Sequence, residues 1–486
     1  MKTITIDPIT RLEGHGKISI FLDAQGDVEN AYLQIPELRG FERFAQGRRA
    51  EDMPQITSRI CGVCPVAHHF AATKALDAAF HVEPPSAAKK LRELMYNAYY
   101  IYDHILHFYY LGGPDFVVGP DAPPAKRNII GVIEKAGVEI GKEVIKHRAY
   151  GQKMTAILGG KATHPVCGLP GGVSKALSKE EVKEIETMTK SCIEFAKFSL
   201  KLFDDIVLKN KVYVDLILSD PYKLATYNMG LVDKNNKVNF YDGKIRVTDQ
   251  KGNEIEKFEG KDYFQHIVEH VEEWSYIKFP YLKKIGWQGL KDGKDSGIYR
   301  VGPLGRLNAA EGMATPLADK EYKRMFETLG GKAINSTLAY HWARLIELLN
   351  ATERVMELTK DSEITSQHIR NPVGEPGEGV GVIEAARGTL IHHYKLDKKG
   401  LIEKANLIVA TTNNSGAISM SIRDAAKGVI KKGKVDNGIL NMVEMAFRAY
   451  DPCFACATHT LPGGMPLEVN IYTNEKKLYK TFRQNL

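Results

Sequence analysis

Residues 59–68 read Arg59-Ile60-Cys61-Gly62-Val63-Cys64-Pro65-Val66-Ala67-His68, and residues 451–459 read Asp451-Pro452-Cys453-Phe454-Ala455-Cys456-Ala457-Thr458-His459. Each stretch holds a C-x-x-C turn, which brings two sulfurs close enough to chelate one ion. Gly62 relieves the tight backbone of the first. Two such turns brought together make four thiolates, a soft donor set suited to zinc, an Fe–S cluster or a thiophilic transition metal. One C-x-x-C alone also fits a thioredoxin-like redox pair. A zinc ribbon separates its pairs by ~15–20 residues, whereas Cys61 and Cys453 lie 392 apart. That separation leaves a structural zinc open, but it suits a site built where the two ends of a large fold meet.

The rest of the composition bounds the fold. At 486 residues, 43% hydrophobic and 26% charged, the chain has the length of about three domains and can bury roughly three quarters of its unfolded surface. Disordered, collagen-like and small disulfide-scaffold readings are excluded. Six cysteines are too sparse for a disulfide framework, and the unpaired Cys167 and Cys192 read as inert core thiols. Net charge is +7 with no dense Lys/Arg block, which argues against nucleic acid. No apolar run reaches the ~18–20 residues that span a bilayer. The N-terminus lacks an apolar h-region, so no secretory signal is visible.

The first 40 residues alternate as strands at Thr3–Ile6, Lys17–Leu22 and Asn30–Ile35. Helical periodicity then covers Lys89–Leu111, with Leu91, Leu94, Met95, Ala98, Ile101, Ile105 and Phe108 on neighbouring turns. Ser178 with Glu181 forms a capping box that opens a helix to about Leu208. A third helical stretch runs from about Asp319 to Leu358, with a kink expected at Gly330-Gly331. Between them, residues 228–260 read as a small strand-rich insertion. Strands return at Gly379–Ile383, Thr389–Tyr394 and Asn406–Ala410, and a helix over Gly438–Tyr450 delivers the chain to Asp451. The expected fold is one helix-rich α+β body with a long central helical bundle and small peripheral sheets.

The two cysteine stretches, Arg59-x-Cys61-Gly-x-Cys64-x3-His68 and Asp451-Pro-Cys453-x2-Cys456-x2-His459, resemble the paired signatures of the large, catalytic subunit of [NiFe] hydrogenases. Five further matches run through the chain in order. They are Asp7-Pro-Ile-Thr-Arg11-Leu-Glu13-Gly-His15, Arg39-Gly-Phe-Glu42, Asp103-His104-x2-His107-Phe-Tyr109, Gly159-Gly160-x3-His164-Pro165 with Pro170-Gly-Gly172, and Glu384-Ala-Ala-Arg387-Gly388-x3-His392. The C-terminal block, followed by Gly463-Gly-Met-Pro-Leu, is more similar to the soluble, cytoplasmic, bidirectional branch than to the periplasmic one.

The resemblance implies a site. Cys61 and Cys453 would be terminal nickel ligands, and Cys64 and Cys456 would bridge nickel to an iron that also carries CO and two cyanides. Glu13 would relay protons from Cys453. Arg387 would lie over the metals, with Asp103 and Asp451 as its carboxylate neighbours. Glu42 and His459 would ligate a second cation, Mg²⁺ or iron, with a backbone carbonyl near Ser415. His15, His68 and His164 would support these groups. The reaction implied is reversible heterolytic H₂ cleavage. The chain has no cysteines for an Fe–S cluster of its own, so electrons would leave through an Fe–S small subunit. Beyond it would lie flavin and Fe–S subunits serving NAD(P) or ferredoxin, or a heterodisulfide-reductase-type complex. Two rivals are a H₂-sensing regulatory protein and a respiratory-complex relative; the latter lacks the four thiolates present here. Residues 1–459 would form the body and 460–486 a tail removed by a maturation endopeptidase. With the tail attached, Cys453 and Cys456 are expected to stand away from Cys61 and Cys64.

Overall fold

The computed structural model describes residues 2–458, 467–472 and 478–484. Four long helices form the central bundle: Ser86–Leu106, Val138–Gly159, Lys179–Phe203 and Tyr340–Thr359. The first packs on the second and fourth, and the fourth also packs on the third. The Ser178–Glu181 capping box opens the third helix as read from sequence. Small sheets surround the bundle. An antiparallel sheet joins Lys2–Ile6, Lys17–Leu22 and Val28–Gln34. Another joins Glu378–Ala385, Gly388–Leu396 and Ile402–Ile408. The architecture is the helix-rich α+β body with peripheral sheets that the sequence implies.

One element differs from expectation. The stretch read as one kinked helix is two helices, Pro316–Thr328 and Tyr340–Thr359. Between them Gly330 and Gly331 take φ of +93° and +96°, which ends the first helix outright. Residues 228–260 do form strands, at Tyr227–Val232, Lys244–Thr248 and Glu254–Phe258. Tyr299–Arg300 joins their edge in parallel. Met229, Leu231, Ile245 and Val247 then share a core with Val382, Ile391 and Ile408, so this segment is tied to the neighbouring sheet by apolar packing.

The helix Pro65–Ala79 carries the first cysteine turn into the fold, with Pro65 at its first position. It is rich in small residues and enclosed on nearly every face, and only Lys74 and Ala78 escape burial. Its Ala71, Ala75 and Ala79 lie directly on the strand Glu378–Ala385. A Cβ on Gly381 would sit 2.2 Å from the Ala71 carbonyl oxygen and 2.4 Å from the Ala75 nitrogen. Glycine is therefore what lets helix and sheet touch backbone to backbone, and that contact sets where Cys64 stands relative to Arg387. Gly381→Val should lower stability by about 1–3 kcal/mol or more through overpacking, read as a fall in the thermal midpoint. An unchanged midpoint would show that the helix lifts off this strand at no cost.

Candidate metal centre

The four cysteines meet. Cys61 Sγ lies 3.4 Å from Cys453 Sγ, and Cys64 Sγ lies 3.6 Å from Cys456 Sγ. All four sulfurs fall within 4.8 Å of one another, and all four residues are buried. The first pair is held by its own turn, where the Val63 and Cys64 amides donate to Cys61 Sγ at 3.2 and 3.4 Å. The second pair is docked from outside: the Cys453 amide donates to Thr411 Oγ1 at 3.0 Å. Arg39 spans both. Its Nη1 donates to the Ile60 carbonyl at 2.6 Å and to the Ala455 carbonyl at 3.0 Å, clamping the residues that precede Cys61 and Cys456.

This closure corrects the expectation that the C-terminal cysteines stand apart while residues 460–486 are attached. The segment is fixed up to Thr458 by contacts of its own: the Arg39 amide donates to the Thr458 carbonyl at 2.6 Å, and Thr412 Oγ1 to the Ala457 carbonyl at 3.1 Å. Each of these contacts is made by residues up to 458. His459 lies outside the described residues.

Glu13 is built into the site by backbone. It forms a parallel bridge with Cys453, its carbonyl accepts from the Phe454 amide at 2.9 Å, and its Oε2 lies 2.9 Å from Cys453 Sγ and 3.2 Å from the Ala455 amide. Gly14, at φ +85°, allows this approach, because a Cβ there would lie 2.6 Å from the Ala455 nitrogen. Burial, reinforced by the charge of Cys61, pushes the Glu13 carboxyl above its ordinary range. Among the sulfurs, burial drives the Cys453 and Cys456 thiols well up, while hydrogen bonds from the other three hold Cys61 well down.

Arg387 occupies the turn between two strands and is fully enclosed. Its Nη1 lies 3.1 Å from Asp103 Oδ2 and its Nη2 2.9 Å from Asp451 Oδ2. Asp451 takes φ +58°, which turns the chain out of the helix Asn437–Arg448. Arg387 and the sulfurs of Cys64, Cys453 and Cys456 line one small cavity, walled by Ala67, His68, Ala385, Leu390, Val409, Ala410 and Thr411.

Residues 39–127 and 142–459 match the family model described as nickel-dependent hydrogenase, and residues 3–38 match a HoxL-like model. The chain belongs to the nickel-dependent hydrogenase family. It is 51% identical over 485 residues to an iron-sulfur subunit of the F420-non-reducing hydrogenase of Archaeoglobus profundus, covering 99% of this chain and all of that one. It is 39% identical to the NAD-reducing hydrogenase HoxS subunit beta of Cupriavidus necator, covering 97% of each. A crystal structure of an NAD⁺-reducing [NiFe]-hydrogenase superposes with a TM-score of 0.89 at 37% identity, covering 94% of this chain and all of that chain. The protein is thus the catalytic large subunit of a [NiFe] hydrogenase, an oxidoreductase acting on H₂.

The hydrogenase places its other sequence-read residues as follows. Glu42 is buried; its Oε1 accepts from the Leu407 amide at 3.0 Å, and its Oε2 is buried without a hydrogen-bond partner. The Ser415 hydroxyl donates to the Lys278 carbonyl at 2.6 Å, and the backbone amide on Glu42 is that of Leu407. His15 is exposed and paired with Glu37, and His164 Nδ1 donates to the Ser58 carbonyl at 2.9 Å. Burial pushes the Cys167 and Cys192 thiols up to about 12, which keeps them protonated. Sequence reasoning does not single out Arg39, Thr411 or Leu407 as site residues, although Arg39 stands in the motif that flags Glu42.

The donor sets fit the groups the family implies. Four buried sulfurs at this spacing suit a thiophilic metal pair, and an orphaned buried carboxylate oxygen suits a hard cation. Burial raises Glu42 to about 8. An acid whose pKa is raised in the fold holds a proton that the unfolded chain has lost, so its contribution to stability falls as pH rises from about 4.5 through about 8. Without added divalent cation, wild-type stability should drop relative to Glu42→Gln by a few kcal/mol between about pH 5 and about pH 8. Denaturant midpoints of both proteins check this, and parallel pH profiles would remove Glu42 as the group responsible.

Proposed function

We propose that Cys61 and Cys453 are the terminal nickel ligands and that Cys64 and Cys456 bridge nickel to an iron bearing CO and cyanide. Bound there, the metal pair supplies the redox chemistry that splits H₂ heterolytically. The chain's own residues handle the proton. The observation that carries this reading is the 2.9 Å contact between Cys453 Sγ and Glu13 Oε2 inside the four-sulfur cluster. Glu13 takes the proton from Cys453 across that contact. Its raised pKa equips it to hold the proton and pass it outward. Arg387 stays charged between Asp103 and Asp451 and orients the cavity electrostatically. The apolar wall of Ala67, Ala385, Leu390 and Val409 keeps water out.

Glu42 holds the second cation, Mg²⁺ or iron, together with His459. Electrons leave through an Fe–S small subunit, the reaction runs in the cytoplasm, and a maturation endopeptidase removes residues 460–486. Of the acceptor readings, coupling to a heterodisulfide-reductase-type complex gains weight over NAD(P) and flavin subunits. The full-length identity to the F420-non-reducing relative is 51%, against 39% for the NAD-reducing one.

Metal analysis with infrared spectroscopy tests the site directly; nickel, iron and CO/CN stretches should appear together, and their joint absence would sink it. Cys61→Ser or Cys453→Ser should abolish H₂ uptake, because a hydroxyl replaces a soft donor; uptake at the wild-type rate would refute the ligand assignment. Glu13→Gln should leave the metals in place and slow H₂/D₂ exchange by roughly 10²–10⁴-fold, the usual worth of a positioned proton-transfer group. Exchange within about twofold of wild type would take Glu13 off the proton route.

A further inference from the structure

One short helical turn, Ala410–Asn413, and the residue that follows it carry side chains to two separate parts of the site. Thr411 Oγ1 accepts from the Cys453 amide at 3.0 Å. Three residues on, Asn414 Nδ2 donates to the Arg387 carbonyl at 3.1 Å, and its Oδ1 accepts from the Val301 amide at 2.8 Å. The Asn414 amide closes the turn on the Thr411 carbonyl at 3.1 Å. The backbones of Cys453 and Arg387 are therefore spaced by a single turn of helix.

The Asn414 side chain has only one way round. A carbonyl can only accept and a backbone N–H can only donate, so the two partners fix which end is nitrogen. The residue is 1% exposed, and losing either contact would strand a buried polar group.

Arg387 stands in the turn between the strands Glu378–Ala385 and Gly388–Leu396. Its neighbours there are tethered from elsewhere. Arg306 donates to the Ala385 and Ala386 carbonyls at 2.7 and 3.2 Å, and the Ala386 amide donates to Tyr99 Oη at 3.3 Å. The Arg387 carbonyl is held by Asn414 and closely approached by Gly302, where a Cβ would lie 2.9 Å from that oxygen. Asp103 and Asp451 grip the guanidinium end of the residue. Asn414 grips its backbone end.

We propose that Asn414 is a positioning residue that sets where the Arg387 guanidinium stands over the metal cavity, gauged against Cys453 by the turn that joins Asn414 to Thr411. This rests on the nickel–iron reading above. A guanidinium acts on the cavity through its charge, and that action falls with distance. Freed at its carbonyl, the turn would let Arg387 follow its two carboxylates instead of keeping its place against the sulfurs.

The test uses the purified complex carrying Asn414→Ala. Its crystal structure should show the four sulfurs in place and Arg387 shifted, at both the carbonyl and the guanidinium. Infrared spectroscopy should show the CO and CN stretches moved, because they respond to the charge beside them. H₂/D₂ exchange should slow by roughly 10²-fold, the cost of a misplacement of about 1 Å, at unchanged nickel and iron content. Unmoved bands with the metals retained, or an Arg387 that keeps its wild-type place, would overturn the proposal. If the alanine variant does not hold metal, Asn414→Asp carries the same test: ionised, it keeps the shape and the Val301 contact and lacks the donor. Loss of metal from both variants would show that Asn414 serves assembly, and that too would overturn the proposal. A wild-type complex without CO/CN bands would instead sink the underlying site reading.

Discussion

The site depends on one buried guanidinium. Arg387 reaches Asp103 on the first long helix of the bundle and Asp451 at the head of the C-terminal cysteine segment, with all three side chains 3% exposed or less. Three parts of the chain, far apart in sequence, are tied at that point. Burying such charges is expensive, and each is tolerable only because the others are present. Removing either carboxylate would leave the guanidinium half compensated beside four sulfurs. The ion triad therefore acts less as a source of stability than as a statement of which arrangement is allowed: Asp451 can sit only where Arg387 is, and Cys453 follows two residues later.

Behind this triad a second buried network fixes Arg387 itself. Glu384, in the same strand–turn–strand, lies 2.7 Å from Arg306 Nη1, and Arg306 makes a two-pronged contact with Glu347 at 2.6 and 2.8 Å. Glu347 also accepts from His104 Nε2 at 2.9 Å, on the residue next to Asp103. The helix carrying Asp103 and the turn carrying Arg387 are thus referenced to each other twice, once at the metal side and once behind it. A thiolate cluster needs this rigidity, because four sulfurs at this spacing repel one another once deprotonated. The scaffold must hold them together before the compensating charge arrives.

Much of this is legible in the sequence. The two C-x-x-C turns, Glu13, Arg387 and the capping box at Ser178 each announce themselves by residue type and spacing, and the structure brings the four cysteines, Glu13 and Arg387 into one place. What stays hidden shares a physical cause. The helix Pro65–Ala79 gives no 3.6-residue pattern, because it is buried all round. Arg39 works through backbone carbonyls, which every residue possesses, so no partner motif betrays it. Leu407 acts through its amide, invisible to any side-chain reading. The 319–358 stretch keeps a helical period across its glycines, and only their positive φ shows that they separate two helices.

The C-terminal segment completes the logic of the fold. Its attachments to Glu13, Arg39, Thr411, Thr412 and Arg387 are hydrogen bonds and ion pairs to groups that the rest of the body already positions. Such contacts are directional and individually modest, and they locate the segment sharply beside the burial of Phe454 in the main core. That is the arrangement a metal site assembled from both ends of a chain requires. The body supplies a finished half-site in Cys61 and Cys64. The last described residues before His459 dock a second half against it, and only the alignment of the two makes a four-sulfur cage. The register of that docking is set where Glu13 bridges Cys453, so the residue that handles protons also places the sulfur it serves.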